Sequence, residues 1–262
     1  GAIPAIVKQD GCVVLDGEAH MSLVEGAKLA GGRLRFFRHN DPDHLGQVLK
    51  EVCNGKTRVL VCVEGVYSAS GDIGPIRAVG EVCREHGALL LVDEAHSSLL
   101  MGPNALGAAD ADGALDMVDF VVLTFSKSFG GVGGALLCDP KLIPYFNWFS
   151  RTRFFSCALD PAVTGGLCKV VELALSAEGD RRREKLAANA ARMREKLRGN
   201  VPISDSQTWL LPVIFGADEL TLKDYDWLQR HGLDTSVMAF PATPKGQARA
   251  RLFITSEHSD EQ

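Results

Sequence analysis

Lys127 sits at the mouth of an apolar run. Residues 119–123 are mostly β-forming and apolar, and Thr124, Ser126 and Ser128 surround the lysine with hydroxyls. Gly130, Gly131, Gly133 and Gly134 follow before a second apolar run at 135–138. Lysine is rarely buried without a partner, so a lone Ser-Lys-Ser reads as a solvated loop. The alternative is an amine held in a cleft, where it can form a Schiff base with a carbonyl compound. A second cluster favours that alternative. An apolar run at 89–92 delivers Asp93-Glu94-Ala95-His96 at its C-terminal end, the end at which open α/β sheets bind ligands. Glu64 and Ser68, after the apolar run 58–63, repeat the arrangement. Structural capping would scatter polar residues over both ends of the strands. Here Glu64, Ser68, Asp93, His96, Thr124 and Lys127 all fall at or just after one end, which marks a site.

The elements that must position these residues alternate. Residues 12–16 form a short apolar run ending in an acid, and His20 follows at the start of a helix carrying Leu23, Val24, Ala27 and Leu29 at roughly helical spacing. Taken alone, a histidine there reads as a cap or surface residue. Residues 33–38 alternate basic and apolar side chains, a half-buried strand. Asp41-Pro42 starts a helix with Asp as N-cap and Pro in the first turn, and Pro75 opens another that His86-Gly87 closes. Strand and crossover helix thus recur from residue 33 to residue 138, with helices of about a dozen residues. The pattern predicts an α/β fold: a mainly parallel sheet with helices on both faces.

After Pro140 the texture changes. Residues 141–155 are aromatic and basic. Asp160-Pro161 starts a long helical segment that Gly179-Asp180 is expected to interrupt, and residues 181–198 are charged, alanine-rich and helical. Strands at 208–215 and 250–255 flank a helix at 217–232, which suggests part of a smaller α+β C-terminal domain. The expected domains are 1–178 and 179–262.

Bulk composition excludes several classes. A net charge of −5 over 262 residues gives no basic footprint for nucleic acid. No apolar run approaches a membrane span, and no signal peptide opens the sequence. Seven cysteines, with no Cys-x-x-Cys pair, read as small buried thiols in a reducing cytosol rather than a disulfide framework or metal site. A nucleotide-binding reading fails because no Gly-x-Gly-x-x-Gly joins a first strand to a helix. The sequence starts at Gly1 in mid-pattern and ends at Gln262 just after a new motif begins, so it reads as a fragment.

The ordered set of Asp93, His96 and Lys127 matches what pyridoxal 5'-phosphate (PLP) requires. That cofactor needs a lysine for its aldehyde, a carboxylate to keep the pyridine nitrogen protonated, a donor at the ring hydroxyl and a flat group against the ring. The sequence resembles the α-oxoamine synthase family of fold-type I PLP enzymes. The resemblance is carried by Asp16-Gly17-Glu18-Ala19-His20, Arg38-His39-Asn40-Asp41, Glu64-Gly65-Val66-Tyr67-Ser68, Val92-Asp93-Glu94-Ala95-His96-Ser97 and Thr124-Phe125-Ser126-Lys127-Ser128-Phe129-Gly130. Glu178-Gly179-Asp180 and Ala250-Arg251-Leu252-Phe253-Ile254-Thr255 extend it over nearly the whole chain.

The resemblance implies a role for each residue. Lys127 is the Schiff-base lysine, Asp93 pairs with the pyridine nitrogen, His96 bonds the ring oxygen and His20 stacks on the ring, against the bland reading above. Ser68 and Thr124 line the cofactor pocket, Arg251 holds the amino acid carboxylate and Glu64 lies on the substrate side. Arg249 is close enough to Arg251 to confuse that assignment. Two positions depart from the family pattern: Cys157 replaces a small hydroxyl residue that reaches the partner subunit's phosphate, and Ser70 replaces an acid. The family's glycine-rich phosphate segment, the region before it and the end of the small domain are expected outside this chain.

The implied reaction condenses an amino acid with an acyl thioester, on CoA or acyl-carrier protein, and loses carbon dioxide and free thiol to leave an α-amino ketone. Residues 93–97 and 124–129 lean toward the serine palmitoyltransferase branch and 178–186 toward the oxononanoate synthase branch. The amino acid stays open among Ser, Gly and Ala, as does the acyl chain. The alternatives are another fold-type I enzyme, such as an aminotransferase, or a non-catalytic subunit of the same fold. A cytoplasmic homodimer is expected, with membrane association of the parent left open.

Overall fold

The buried apolar runs become the middle of a sheet. In the computed structural model, which describes residues 1–240, 242–259 and 261 without the side chains of 219–222, β1 (Cys12–Asp16) and β3 (Val59–Glu64) are buried at every position. Continuous burial is what a parallel strand covered on both faces demands. With β2 (Arg33–Phe37), β4 (Leu89–Asp93), β5 (Phe120–Thr124) and β6 (Gly134–Leu137) they form a six-stranded sheet of order β2-β1-β3-β4-β5-β6. The first five strands are parallel and β6 runs antiparallel to β5. The chain leaves β1 for the edge at β2 and returns to the other flank of β1 as β3. The strand order therefore reverses between β1 and β3, the position at which open α/β sheets hold ligands.

Local chemistry sets the helices of this part. They are α1 (Ala2–Ile6), α2 (Met21–Ala30), α3 (Pro42–Val52), α4 (Ile76–His86), α5 (Ala108–Ala111), α6 (Ile143–Phe149), α7 (Arg151–Phe154) and α8 (Pro161–Ala174). Asp41 caps α3 by accepting from the His44 N–H at 2.8 Å, with Pro42 as first helical residue. Gly31 and Gly87 close α2 and α4 in the left-handed conformation, φ 72° and 67°, where glycine carries no Cβ penalty. Val13, Leu15, Leu60, Cys62, Leu91 and Phe120 share a core with Leu23 and Ala27 of α2 and Phe146 of α6.

The chain divides into two units, one of Gly1–Val66 and Gly74–Ser176, the other of Tyr67–Ile73 and Ala177–Gln262. The second unit holds α9 (Ala177–Leu197), β7 (Leu210–Gly216), α10 (Asp218–Arg230), β8 (Ser236–Met238) and β9 (Ala248–Phe253), with an antiparallel sheet of order β7-β9-β8. The helical break expected at Gly179-Asp180 falls instead at Leu175-Ser176, where the Ser176 hydroxyl donates to Leu173 O at 2.7 Å. Gly179 and Asp180 lie in the first turn of α9, and Glu178 there pairs with Arg181 and Arg182. The expectation of buried thiols holds for Cys12, Cys62 and Cys83. Cys53 and Cys138 are half-buried, Cys157 and Cys168 are exposed, and all seven are free. Among the described residues no helix is long and apolar enough to cross a membrane.

Residues 67–73 follow β3 in sequence but group with the second unit. Four consecutive carbonyls of this loop accept from side chains of that unit. Ser68 O takes Arg251 Nη1 at 2.9 Å, Ala69 O takes Arg249 Nη1 at 3.0 Å and Ser70 O takes the Ser204 hydroxyl at 2.9 Å. Gly71 O takes the Ser206 and Thr208 hydroxyls at 3.3 and 3.1 Å. Buried carbonyls need partners, and this loop obtains them from side chains instead of a strand. Gly71 has φ 76°, and a Cβ there would stand 2.3 Å from Ser206 Oγ and 2.5 Å from Leu210 O. Gly71→Ala is therefore expected to lower stability by about 2 kcal/mol, read as a shifted denaturant midpoint. Ser70→Ala, which removes a buried hydroxyl that has no partner, should leave the midpoint nearly unchanged.

Candidate active site

The strand ends at the reversal deliver the chemistry of the first unit. Glu64 ends β3 and Asp93 ends β4, and the two are direct partners in the parallel register. Thr124 ends β5, and Lys127 lies exposed in the turn three residues later. His20 caps α2: its Nδ1 accepts from the Ser22 N–H at 3.3 Å and lies 2.9 Å from Ser22 Oγ. An acceptor at Nδ1 leaves the proton of the neutral ring on Nε2. The His20 backbone N–H donates to Glu64 Oε1 at 2.5 Å. That bond joins the segment after β1 to the end of β3 at the point where the strand order reverses.

Asp93 is buried, and the Ala95 N–H donates to its Oδ1 at 3.0 Å. Burial pushes its carboxyl above the usual aspartate range, against the pull of that hydrogen bond and of the charges on Lys127 and His20. The fold thus places the carboxylate, the amine and one imidazole within each other's electrostatic reach. His96, three residues past Asp93, is half-buried in the turn after β4. Thr124 Oγ1 and Ser126 Oγ lie 3.0 Å apart, and Ser128 Oγ is buried with no hydrogen-bond partner.

Burial pushes the Glu94 carboxyl up as well, but Glu94 has more donors. Its fully buried carboxylate accepts from the Ser97 hydroxyl, from the Ala108 N–H at 2.8 Å and from the Ala109 N–H at 2.9 Å. A Cβ on Gly65 or Gly107 would stand 2.3 or 2.4 Å from it. Glu94 is therefore saturated and holds the first turn of α5, whereas Asp93 keeps capacity for a ligand. In sequence the two acids form one cluster. Nothing in the sequence pattern separates them except that β4 turns Asp93 and Glu94 to opposite sides.

Ser68 and Arg251 belong to the second unit and are joined there through the Ser68 carbonyl. Arg251 Nη2 donates to Ser236 Oγ at 2.7 Å, a contact that sequence reasoning missed because β8 is only three residues long. Arg249, the competing candidate, is buried and donates to Ala69 O, Gln247 O and Gln247 Oε1. Among the described residues no group of three or more His, Cys, Asp or Glu side chains could hold a metal ion.

This sheet order, with its acid, amine and imidazole at strand C-termini, is the architecture of the fold-type I PLP transferases. The chain belongs to the aminotransferase class I and II family, whose sequence profile matches residues 1–262. It is similar to the 8-amino-7-oxononanoate synthases of Citrobacter koseri and Salmonella typhimurium, each 34% identical over 257 residues, 98% of this chain and 66% of theirs. Among solved structures, serine palmitoyltransferase from S. paucimobilis with bound PLP–myriocin superposes with a TM-score of 0.95 at 30% identity, covering 100% of this chain and 66% of that one. Serine palmitoyltransferase from Sphingomonas wittichii gives a TM-score of 0.93 at 31% identity, covering 99% and 65%. The chain thus spans just under two thirds of the length of these relatives.

The raised Asp93 pKa has a signed consequence. The folded state holds that proton more tightly than the unfolded state, so stability falls as pH rises from the ordinary aspartate value toward the folded one. Asp93→Asn removes the penalty. Without cofactor, it should be more stable than the parent at pH 7 by on the order of 1 kcal/mol, and the gap should close at a pH below the ordinary aspartate value. Denaturation curves at the two pH values check this.

Proposed function

We propose that the full-length protein is a PLP-dependent C-acyltransferase of the α-oxoamine synthase type, condensing an amino acid with an acyl thioester and releasing carbon dioxide and thiol. The observation that carries this is the buried Asp93 at the end of β4 with the charges of Lys127 and His20 acting on it. The relatives named above, oxononanoate synthases and serine palmitoyltransferases, support it.

Each residue then has one task. Asp93 takes the protonated pyridine nitrogen, which supplies the positive partner its buried carboxylate lacks. Lys127 would hold the cofactor's aldehyde through its ε-amine, and the same amine would serve as general base toward the substrate α-proton. His20, positioned by its backbone bond to Glu64 and its side-chain cap on α2, would supply the flat group against the ring. His96 bonds the ring oxygen, and Thr124 and Ser68 line the cofactor pocket. Arg251 takes the substrate carboxylate, a task suited to a guanidinium fork, and Glu64 serves the substrate side. The cofactor, when bound, supplies the electron sink that makes the α-carbon nucleophilic. The acyl donor is a thioester on CoA or a carrier protein, and the working unit is a homodimer in the cytoplasm.

A visible spectrum of the full-length protein with added PLP should show an imine band that borohydride abolishes and that Lys127→Ala lacks. Thiol release from acyl thioester should require an amino acid and should fall by ~10³-fold or more in Lys127→Ala, as expected for loss of a group that acts in acid–base and covalent steps. A parent protein without the band would sink the enzyme reading. A band without amino-acid-dependent thiol release would favour an aminotransferase.

A further inference from the structure

The roles assigned above leave one buried acid at the strand ends without a task. Asp16 ends β1 with its side chain shut off from water, and its carboxylate gathers donors from two segments of the first unit. The Glu18 N–H reaches Oδ1 at 2.8 Å and the Asn40 N–H reaches Oδ2 at 2.9 Å. The imidazole of His39 joins them, its Nδ1 2.8 Å from Oδ1. A carboxylate oxygen only accepts, so His39 carries a proton on Nδ1. Glu18 follows β1, whereas His39 and Asn40 follow β2, whose end stands beside that of β1 because Asp16 and Phe37 are direct partners. Asn40 adopts the left-handed conformation, φ 50°, which asparagine tolerates. The chain there turns so that one side chain and the next N–H both reach the same carboxylate.

The segment held in this way is the one that delivers His20. Only residues 17–19 separate Asp16 from it. Glu18 is tied to the Asp16 carboxylate, and the Ala19 N–H donates to Asp16 O at 3.1 Å. At the far end, the His20 N–H is fixed on buried Glu64. The aim of the His20 ring is therefore set by two buried acids, one at each end of a short turn. His39 holds the first of them, and its Nε2 stands 3.9 Å from Glu18 Oε2 on the same turn. Hydrogen bonds to a carboxylate are among the strong ones, and a buried carboxylate deprived of a donor is costly. Without the His39 N–H, the Asp16 side chain turns toward water or its remaining donors, and the turn moves with it.

We infer that His39 is a positioning residue for His20: its Nδ1–H locks the Asp16 carboxylate, and through it the 17–19 turn that aims the His20 ring. This deepens the proposed function and rests on the assignment of His20 to the face of the cofactor ring. It makes the aim of that ring depend on a side chain remote from it in sequence. The chemistry required is narrow, an N–H donor on the atom next to Cγ. Asparagine offers an amide nitrogen at that place, whereas glutamine carries the same nitrogen one bond further out, closer to where Nε2 stands.

The test uses the full-length protein with isotope-labelled histidine, read by nitrogen NMR, first without PLP. The His20 ring of the parent should show an accepting Nδ1 and a protonated Nε2, its resonances assigned by their loss in His20→Gln. His39→Asn should keep that pattern, and His39→Gln should replace it with averaged tautomers. With PLP added, His39→Gln should bind the cofactor about tenfold more weakly, the scale of one hydrogen bond to a charged group. The visible circular dichroism of the bound cofactor and kcat should fall with it, while the KM for acyl thioester stays unchanged. His39→Asn should restore all of these. Where His39→Gln does not fold, His39→Ala with and without free imidazole makes the same comparison, imidazole restoring the His20 pattern. Both amides would loosen a merely structural contact alike, so equal impairment of His39→Asn and His39→Gln would overturn the proposal. A parent-like His20 pattern and cofactor dichroism in His39→Gln, with only the denaturation midpoint lowered, would overturn it as well. The two levels separate. A parent without the imine band sinks the enzyme reading, while the cofactor-free pattern still reports the link from His39 to His20. An imine band together with a His20 pattern indifferent to His39 sinks this proposal alone.

Discussion

A carboxylate left short of partners at the end of a buried strand is the constraint on which the first unit turns. Leu90, Leu91 and Val92 carry β4 through the core without any exposed surface, so the chain reaches Asp93 while still out of water. An ionised carboxylate in that position is expensive unless hydrogen bonds and nearby cations offset the loss of hydration. One N–H from Ala95 and the fields of Lys127 and His20 provide part of the offset. The sheet order supplies both side chains. Lys127 arrives because β5 lies on one side of β4, and His20 because the reversal between β1 and β3 lies on the other. Neither is near Asp93 in sequence, so a parallel sheet with a reversal is what makes the group possible.

Glu94 shows that the shortfall at Asp93 is not a general defect of the fold. One residue further on, the same backbone buries a second carboxylate completely and gives it one hydroxyl and two N–H donors. Gly65 and Gly107 leave the room this requires. A chain that can saturate one acid and leaves its neighbour open has kept a local cost at one position, which is how functional sites commonly stand out from well-satisfied surroundings. The loop 67–73 follows the same logic in the second unit. Its carbonyls are satisfied by Arg249, Arg251 and three hydroxyls, so its shape is dictated by side chains remote in sequence.

This difference explains what could be read from the sequence. β3, β4 and β5 were legible because strands covered on both faces are nearly continuous apolar runs, and α3 and α4 because Asp41-Pro42 and Gly87 mark their ends chemically. Asp93 and Lys127 were legible as chemistry because they terminate such runs. The break between α8 and α9 was not, since Gly179 is a poor helix former by propensity yet is held in a helical turn beside the ion pairs of Glu178. Strand β8 was too short to carry a period. Arg249 and Arg251 are indistinguishable in a string of letters, because both occupy the same face of β9. Only their partners differ: Arg249 spends its donors on carbonyls and Gln247, and Arg251 has an empty Nε.

The two exceptions are of opposite sign. The first unit buries an acid whose compensation is incomplete, and the second holds a half-buried guanidinium with no carboxylate paired to it among the described residues. If these were accidents of packing, selection for stability would have little reason to keep them, because neutral substitutions at either position remove a desolvation cost. A cationic group beside Asp93 removes the first cost and an anion beside Arg251 removes the second, each within its own unit.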